Sequence, residues 1–256
     1  GLTLELVGDI ISRPYINMTV EMMKLFGADV KWTSEAALHV EHKPYTPGMH
    51  YTIESDWSAA SYWYEMVALS ADPDACIVLP WLEKESLQGD QSVQQLFEPL
   101  GVMTTFDEQH HCAIIRKNEK LRQSKDEVYE CNLVNQPDLA QTLVVTCAAL
   151  CQPFYFDGLR SLRIKETDRM AALQNELAKF GVSLGIEGDE ALYIYQYANK
   201  SLQYNDEPIA TYHDHRMAMA FAPLAMVCNN KVEIANAEVV SKSYPNYWND
   251  LESLAE

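Results

Sequence analysis

Apolar residues recur along this chain at two spacings, every second residue and every third to fourth, and the two alternate from one end to the other. A period of two marks a strand with one buried face, and a period near 3.6 marks an amphipathic helix. Strands are predicted over 3–7 (TLELV), 50–55 (HYTIES), 75–80 (ACIVLP), 111–116 (HCAIIR), 128–134 (VYECNLV), 191–197 (ALYIYQY) and 231–236 (KVEIAN). Helices are predicted over 13–26, 57–70, 91–100, 138–150, 165–180, 214–227 and 245–255. The mixture reads as α/β or α+β, with helices packed on sheets. The charged run KNEKLRQSKDE (117–127) reads as a solvated connection.

The pattern also repeats. Three predicted helices end in an apolar residue and a glycine and then lead into a strand: Phe26-Gly27-Ala28, Leu100-Gly101-Val102 and Phe180-Gly181-Val182. These glycines lie 74 and 80 residues apart. Glycine after a helix takes the left-handed conformation at little cost. In phase with them, Asp56, Asp138 and Asp214 each precede a helix rich in small residues, at separations of 82 and 76. An aspartate there is expected to cap free backbone N–H groups. The unit so defined runs strand, helix, strand, helix, strand, strand. Its first copy lacks the opening strand and helix, and its last stops in the second helix at Glu256. The chain is therefore expected to be cut from something longer, or completed by residues outside it.

Composition narrows the function. Of 256 residues, 48% are hydrophobic and 22% charged, enough for a packed core and too apolar for wholesale disorder. Lys and Arg number 19 against 37 Asp and Glu, a formal charge of −18. That balance repels nucleic-acid backbones and anionic lipid, so an anionic ligand should be small and met by a local concentration of cations. No apolar run approaches the roughly 20 residues of a membrane span, and the first residues lack the pattern of a signal peptide. The six cysteines are scattered with no C-x-x-C pair. They read as inert thiols of a cytoplasmic chain, with neither a metal centre nor a disulfide frame expected. Nucleotide-binding glycine loops and an H-E-x-x-H motif are missing too, so no cofactor is expected.

Cation placement carries the chemical signal. Helix N-termini already bear partial positive charge, so Lys and Arg there are disfavoured. Here Arg13, Arg160, Arg163, Lys165, Arg169, His215, Arg216 and Lys242 all fall at or just ahead of predicted helix starts, with Lys242 preceding Pro245. Each taken singly reads as a surface residue paired to one of the abundant carboxylates. As a set they read as one anion site, where an incoming phosphate or carboxylate relieves their repulsion. Lys165 and Arg169, four apart, are expected to share a helix face, with Glu166 turned into the same cleft. Asp138 and Glu166 could divide general-base and general-acid work if their environments separate their pKa values. As simpler readings, Asp138 is a cap and Glu166 a first-turn glutamate.

The stretch Leu162-Arg163-Ile164-Lys165-Glu166-Thr167-Asp168-Arg169, with Asp214-His215-Arg216-Met217-Ala218-Met219 and Ser241-Lys242-Ser243-Tyr244-Pro245, resembles the EPSP synthase family (3-phosphoshikimate 1-carboxyvinyltransferases). Ser12-Arg13-Pro14-Tyr15-Ile16 and Glu54-Ser55-Asp56-Trp57-Ser58-Ala59-Ala60-Ser61-Tyr62 share the likeness, which runs in order over the whole chain. The resemblance implies two domains, each of three βαβαββ units about a pseudo-threefold axis, with this chain as the trailing three-fifths. Residues 1–54 would be the tail of the N-terminal domain and residues 55–256 most of the C-terminal one. The implied reaction moves the enolpyruvyl group of phosphoenolpyruvate to the 5-hydroxyl of shikimate 3-phosphate through a tetrahedral adduct, in the shikimate pathway of aromatic amino-acid biosynthesis. Neither a cofactor nor a metal is implied, and the full-length protein is expected to be a cytoplasmic monomer. Ser12, Tyr15, Asp138 and Lys165 match shikimate 3-phosphate contacts, as does Ser161, where many members carry Asn. Glu166, Arg169, Arg216 and Lys242 match the phosphoenolpyruvate side, with His215 adjacent. Asp138 would take the hydroxyl proton and Glu166 would serve the methylene carbon. With half of the cleft missing, the 256-residue chain alone is expected to be inactive. Rival readings are the sister transferase acting on UDP-N-acetylglucosamine, a non-catalytic anion-binding protein, and an RNA-phosphate-processing enzyme of similar architecture. The charge of −18 opposes the last.

Overall fold

Helices form where the apolar spacing placed them, and local caps set their ends. α1 (Arg13–Leu25) carries Pro14 in its first turn, where a missing N–H costs nothing, and Gly27 closes it at φ 92°. α2 (Trp57–Leu69) is capped by Asp56, whose carboxylate accepts the Ser58 N–H at 2.7 Å. The helix predicted over 91–100 is broken into the short α3 (Val93–Phe97) between 3-10 turns at Gly89–Ser92 and Glu98–Leu100. α4 (Ala140–Leu150), α5 (Arg169–Ala178), α6 (His215–Phe221) and α7 (Tyr247–Glu252) follow. Gly101 and Gly181, like Gly27, have positive φ, as their place after a helix requires. The computed structural model describes residues 1–254, so the predicted end of the last helix at 255 lies outside the described residues.

Among the described residues the strands form three sheets with one recurring order. β1 (Leu2–Glu5), β2 (Val30–Ser34) and β3 (Ala37–Val40) lie in the order β1-β3-β2. β4 (Cys76–Pro80), β5 (Val102–Asp107) and β6 (Cys112–Lys117) lie in the order β4-β6-β5. β7 (Tyr129–Asn132), β8 (Phe154–Asp157), β9 (Gly185–Glu187) and β10 (Ala191–Ile194) lie in the order β7-β8-β10-β9, with β7 and β8 parallel. The run β7-α4-β8-α5-β9-β10 is therefore one full βαβαββ unit, and the other two sheets reproduce its last three strands.

Two predicted strands are not extended pairs. Residues 50–55 bond to the sheet only at their end, where Ser55 donates its N–H to the Trp81 carbonyl and its hydroxyl to the Pro80 carbonyl. Alternation supplied a face there, but no neighbouring strand lies alongside to take the backbone groups. Residues 231–236 reduce to a single parallel bridge, Ile209 to Ile234.

Two helix starts also moved. α5 begins at Arg169 rather than 165, because the Asp168 carboxylate accepts the Ala171 N–H at 3.1 Å and fixes the cap there. Lys165 and Arg169 thus do not share a helix face. Asp138 lies inside the 3-10 turn Pro137–Leu139, and α4 starts after Leu139 with no side-chain cap. The expected capping role falls to Asp56 and Asp214 only, leaving the Asp138 carboxylate free for other partners.

α2 and α4 are buried almost all round and pack together at the centre, with α6 against α4. A helix without a solvent face must lie inside the molecule. A second, smaller core joins Val20, Val30 and Leu38 between α1 and its sheet. No helix among the described residues is long and apolar enough to cross a membrane.

Candidate active site

Four segments far apart in sequence meet beside the starts of α4, α5 and α6. Arg169 is the centre, its side chain 2% exposed. Its Nε donates to Asp214 Oδ2 at 2.6 Å, Nη1 to Asp138 Oδ1 at 2.8 Å and Nη2 to Glu166 Oε2 at 2.8 Å. A planar guanidinium, with five donors in a rigid fork, can serve three carboxylates along its edges at once. Around it, Arg216 Nη2 donates to Asp138 Oδ2 at 3.1 Å, and Lys165 Nζ stands 3.3 Å from Asp138 Oδ1. Lys242 Nζ donates to Glu166 Oε1 at 2.5 Å, reaching it from the end of the 3-10 turn Ala237–Lys242 rather than from a helix start. Asp214 caps α6 by accepting the Arg216 N–H at 2.9 Å while also holding Arg169.

Four cations thus face three carboxylates, in a chain of formal charge −18. Both readings of the cations hold in part: each is paired to a carboxylate, and the pairs form one cluster. The ion pairs set the titration of the acids. Burial pushes the Asp138 carboxyl up, but Arg216, Lys165 and Arg169 outweigh it and hold it below the usual range. Burial likewise opposes ionisation of Glu166, yet the Lys242 hydrogen bond, its own backbone N–H and Arg169 bring it down to about 2. Both are ionised acceptors near neutrality. Burial, and then Arg216, keep the His215 imidazole below its ordinary range; its Nδ1 lies 3.8 Å from Asp214 and has no hydrogen-bond partner.

The other predicted residues divide. The Tyr15 hydroxyl faces Ser58 and Asp90, and burial, then the Asp90 charge, hold it above its ordinary range. Tyr15, Ser58, Gln88, Asp138 and Arg216 line one cavity of about 420 Å³. Ser12 precedes α1 in the left-handed conformation (φ 55°), its N–H donating to the Val134 carbonyl at 2.9 Å. Ser161 Oγ is buried without a hydrogen-bond partner, so no bond ties it to the cluster. Three of the predicted cations do not join. Arg13 donates to the Glu35 carbonyl and lies over the Trp32 ring, Arg160 stands 3.5 Å from Asp9, and Arg163 pairs with Asp168 at 2.8 Å. Helix-start position therefore did not decide membership; direction of the side chain did. Asp90 escaped the sequence reading altogether, since Gly89-Asp90 inside a polar stretch reads as an ordinary turn.

The cluster can hold a small, multiply charged acid between guanidinium and ammonium groups, with two ionised carboxylates alongside. The family model for EPSP synthase (3-phosphoshikimate 1-carboxyvinyltransferase) matches residues 1–251. A 3-phosphoshikimate 1-carboxyvinyltransferase of Bacteroides fragilis (strain YCH46) is 48% identical over 252 residues, covering 98% of this chain and 58% of the relative. One from Mannheimia haemolytica is 30% identical, covering 99% of this chain and 56% of its own length. The chain thus spans under two thirds of the curated relatives it matches. Among solved structures, EPSP synthase from Acinetobacter baumannii superposes with a TM-score of 0.69 at 20% identity, over 92% of this chain and 53% of that one. The enolpyruvyl transferase NikO from Streptomyces tendae gives 0.62 at 14% identity, over 99% and 55%. Both share the fold.

Proposed function

The chain belongs to the EPSP synthase family, and from that premise we propose that it is the C-terminal three-fifths of an enzyme that transfers enolpyruvyl from phosphoenolpyruvate to the 5-hydroxyl of shikimate 3-phosphate. Residues 1–54 belong to the tail of its N-terminal domain and residues 55–256 to its C-terminal domain, a division supported by the separate core of Val20, Val30 and Leu38. The full-length protein works as a monomer in the cytoplasm. The observation that carries this reading is the joining of Lys165, Arg169, Arg216 and Lys242 through Asp138 and Glu166.

Ser12, Tyr15, Ser161, Asp138 and Lys165 hold shikimate 3-phosphate; Arg169, Arg216 and Lys242 hold phosphoenolpyruvate, with His215 beside it. In the addition step the 5-hydroxyl oxygen bonds to C2 of phosphoenolpyruvate, its proton passes to Asp138, and a proton from Glu166 reaches the C3 methylene. In the elimination step Glu166 takes a proton back from C3, the C2–O bond to phosphorus breaks, and the departing phosphate receives the proton from Asp138. The cations stabilise the charge that develops as the adduct forms.

One difficulty is that Glu166, at about 2, has no proton to give in the free chain. The groups that hold it down include Lys242 and Arg169, and these are the groups a bound anion engages. Arrival of phosphoenolpyruvate draws them away, so Glu166 titrates toward neutrality only in the complex. The test is phosphate release. The full-length gene product should release phosphate from phosphoenolpyruvate only when shikimate 3-phosphate is present, and the 256-residue chain alone should not. Release driven instead by UDP-N-acetylglucosamine, or none with either acceptor, overturns the reading. Equal turnover by the 256-residue chain overturns the two-domain division.

A further inference from the structure

Outside the ion-pair cluster lies a second buried acid. Asp90 sits on the 3-10 turn Gly89–Ser92 with no exposed surface. Its Oδ2 accepts the Ser58 hydroxyl, its Oδ1 has no hydrogen-bond partner, and the Tyr15 hydroxyl faces both Asp90 and Ser58. Tyr15 belongs to α1, Ser58 to the first turn of α2, and the charges of Arg216 and Asp138 also act on Asp90. A carboxyl buried there is costly unless hydrogen bonds offset its desolvation, and only one of its two oxygens has such a bond. Burial, against the pull of Ser58 and Arg216, lifts it to about 6.

The turn that carries Asp90 is itself pinned. The Gln88 side chain accepts the Trp57 N–H at 2.9 Å and donates to the Ser55 carbonyl at 2.8 Å, locking the turn to the start of α2. At Gly89, a Cβ would come 2.8 Å from Pro14 Cβ and 3.3 Å from the Tyr15 ring. The absent side chain lets the first turn of α1 press onto the turn. Here the small core of residues 1–54 meets the large one, and α1 begins with Ser12 and Tyr15.

We infer that Asp90 is a positioning residue: through Ser58 and Tyr15 it fixes the start of α1 against the Arg216–Asp138 pair, and so sets the geometry with which Ser12 and Tyr15 meet the phosphorylated acceptor substrate. The role in substrate binding rests on the proposed function; the role in holding α1 does not.

Two measurements separate these. In hydrogen exchange on the full-length gene product, Asp90→Ala should speed exchange of residues 12–19 by about tenfold and leave α4 unchanged; unchanged exchange in α1 overturns the inference. In steady-state kinetics on the full-length gene product, Asp90→Ala should raise KM for shikimate 3-phosphate about tenfold, with KM for phosphoenolpyruvate within about twofold. Asp90→Asn, which keeps one acceptor oxygen, should recover most of the loss. Adding Ser58→Ala to Asp90→Ala should cost little further, because the Ser58 hydroxyl donates to Asp90 and the two act through one hydrogen bond. A KM for shikimate 3-phosphate that does not move, or effects of the two substitutions that multiply, overturns the inference. If Asp90→Ala does not fold, Asp90→Asn carries both readouts with smaller expected changes. A native protein that turns over no shikimate 3-phosphate defeats the functional reading, and the exchange result still decides whether Asp90 holds α1.

Discussion

Replacing Arg169 by methionine removes the one group that joins all three carboxylates of the cluster while keeping much of the side chain's length and apolar stem. Asp214 would suffer most: it is 0% exposed, and without Arg169 it keeps the Arg216 N–H at 2.9 Å and an imidazole nitrogen at 3.8 Å. Asp138 retains Arg216 and Lys165, and Glu166 retains Lys242. The dominant cost is therefore one buried carboxylate stripped of its cation, on the order of 3–5 kcal/mol. At about 2 °C per kcal/mol for a chain of this length, the unfolding midpoint should fall by about 6–10 °C. Arg169→Lys restores the charge but cannot reach three acceptors, so its loss should be intermediate. Thermal unfolding followed by circular dichroism near neutral pH reads both. A midpoint for Arg169→Met within about 1 °C of the native value would refute the reasoning, as would Arg169→Lys behaving like the native protein.

Glu65, on α2, is wholly buried with no hydrogen-bond partner at either oxygen, and the Thr146 hydroxyl beside it donates instead to the Thr142 carbonyl. Burial lifts its carboxyl well above the ordinary range, so its stabilising contribution is complete below that range and is lost as pH rises, by up to about 1.4 kcal/mol per pH unit. Glu65→Gln should gain on the native protein in urea unfolding between about pH 6 and 9; a constant gap would show the acid already ionised. Asp138 has the opposite sign. Held low by Arg216, Lys165 and Arg169 against its burial, it stabilises above the ordinary carboxylate range and loses that contribution as pH falls. Asp138→Asn should be less stable than the native chain at neutral pH, with the gap narrowing as pH falls below the ordinary carboxylate range, so a gap that stays constant through that fall would count against the ion pairs.

Much of the fold was legible because apolar period and capping chemistry are local. Gly27, Gly101 and Gly181 marked three helix ends, and Asp56 and Asp214 capped the helices they preceded. Strand pairing is not local, which is why residues 50–55 and 231–236 read as strands yet find almost no ladder. Asp168 competed with the 165–180 periodicity and won, since a side-chain cap fixes a helix start more sharply than apolar spacing does. For the site, residue type located the cations but could not say where each pointed. Arg160 and Arg163 lie just upstream of Lys165 in sequence and bond elsewhere. Asp90 was invisible because its importance comes from Tyr15 and Ser58, which approach from other parts of the chain.

The central claim is that Lys165, Arg169, Arg216 and Lys242 release their internal carboxylates to hold substrate acids. Phosphate release by the full-length gene product at saturating shikimate 3-phosphate, read against phosphoenolpyruvate concentration, tests it most directly. Arg216→Met and Lys242→Met should each lower kcat/KM for phosphoenolpyruvate by about tenfold or more, as loss of a charge-assisted contact requires. Native kcat/KM for phosphoenolpyruvate in both variants would contradict the account.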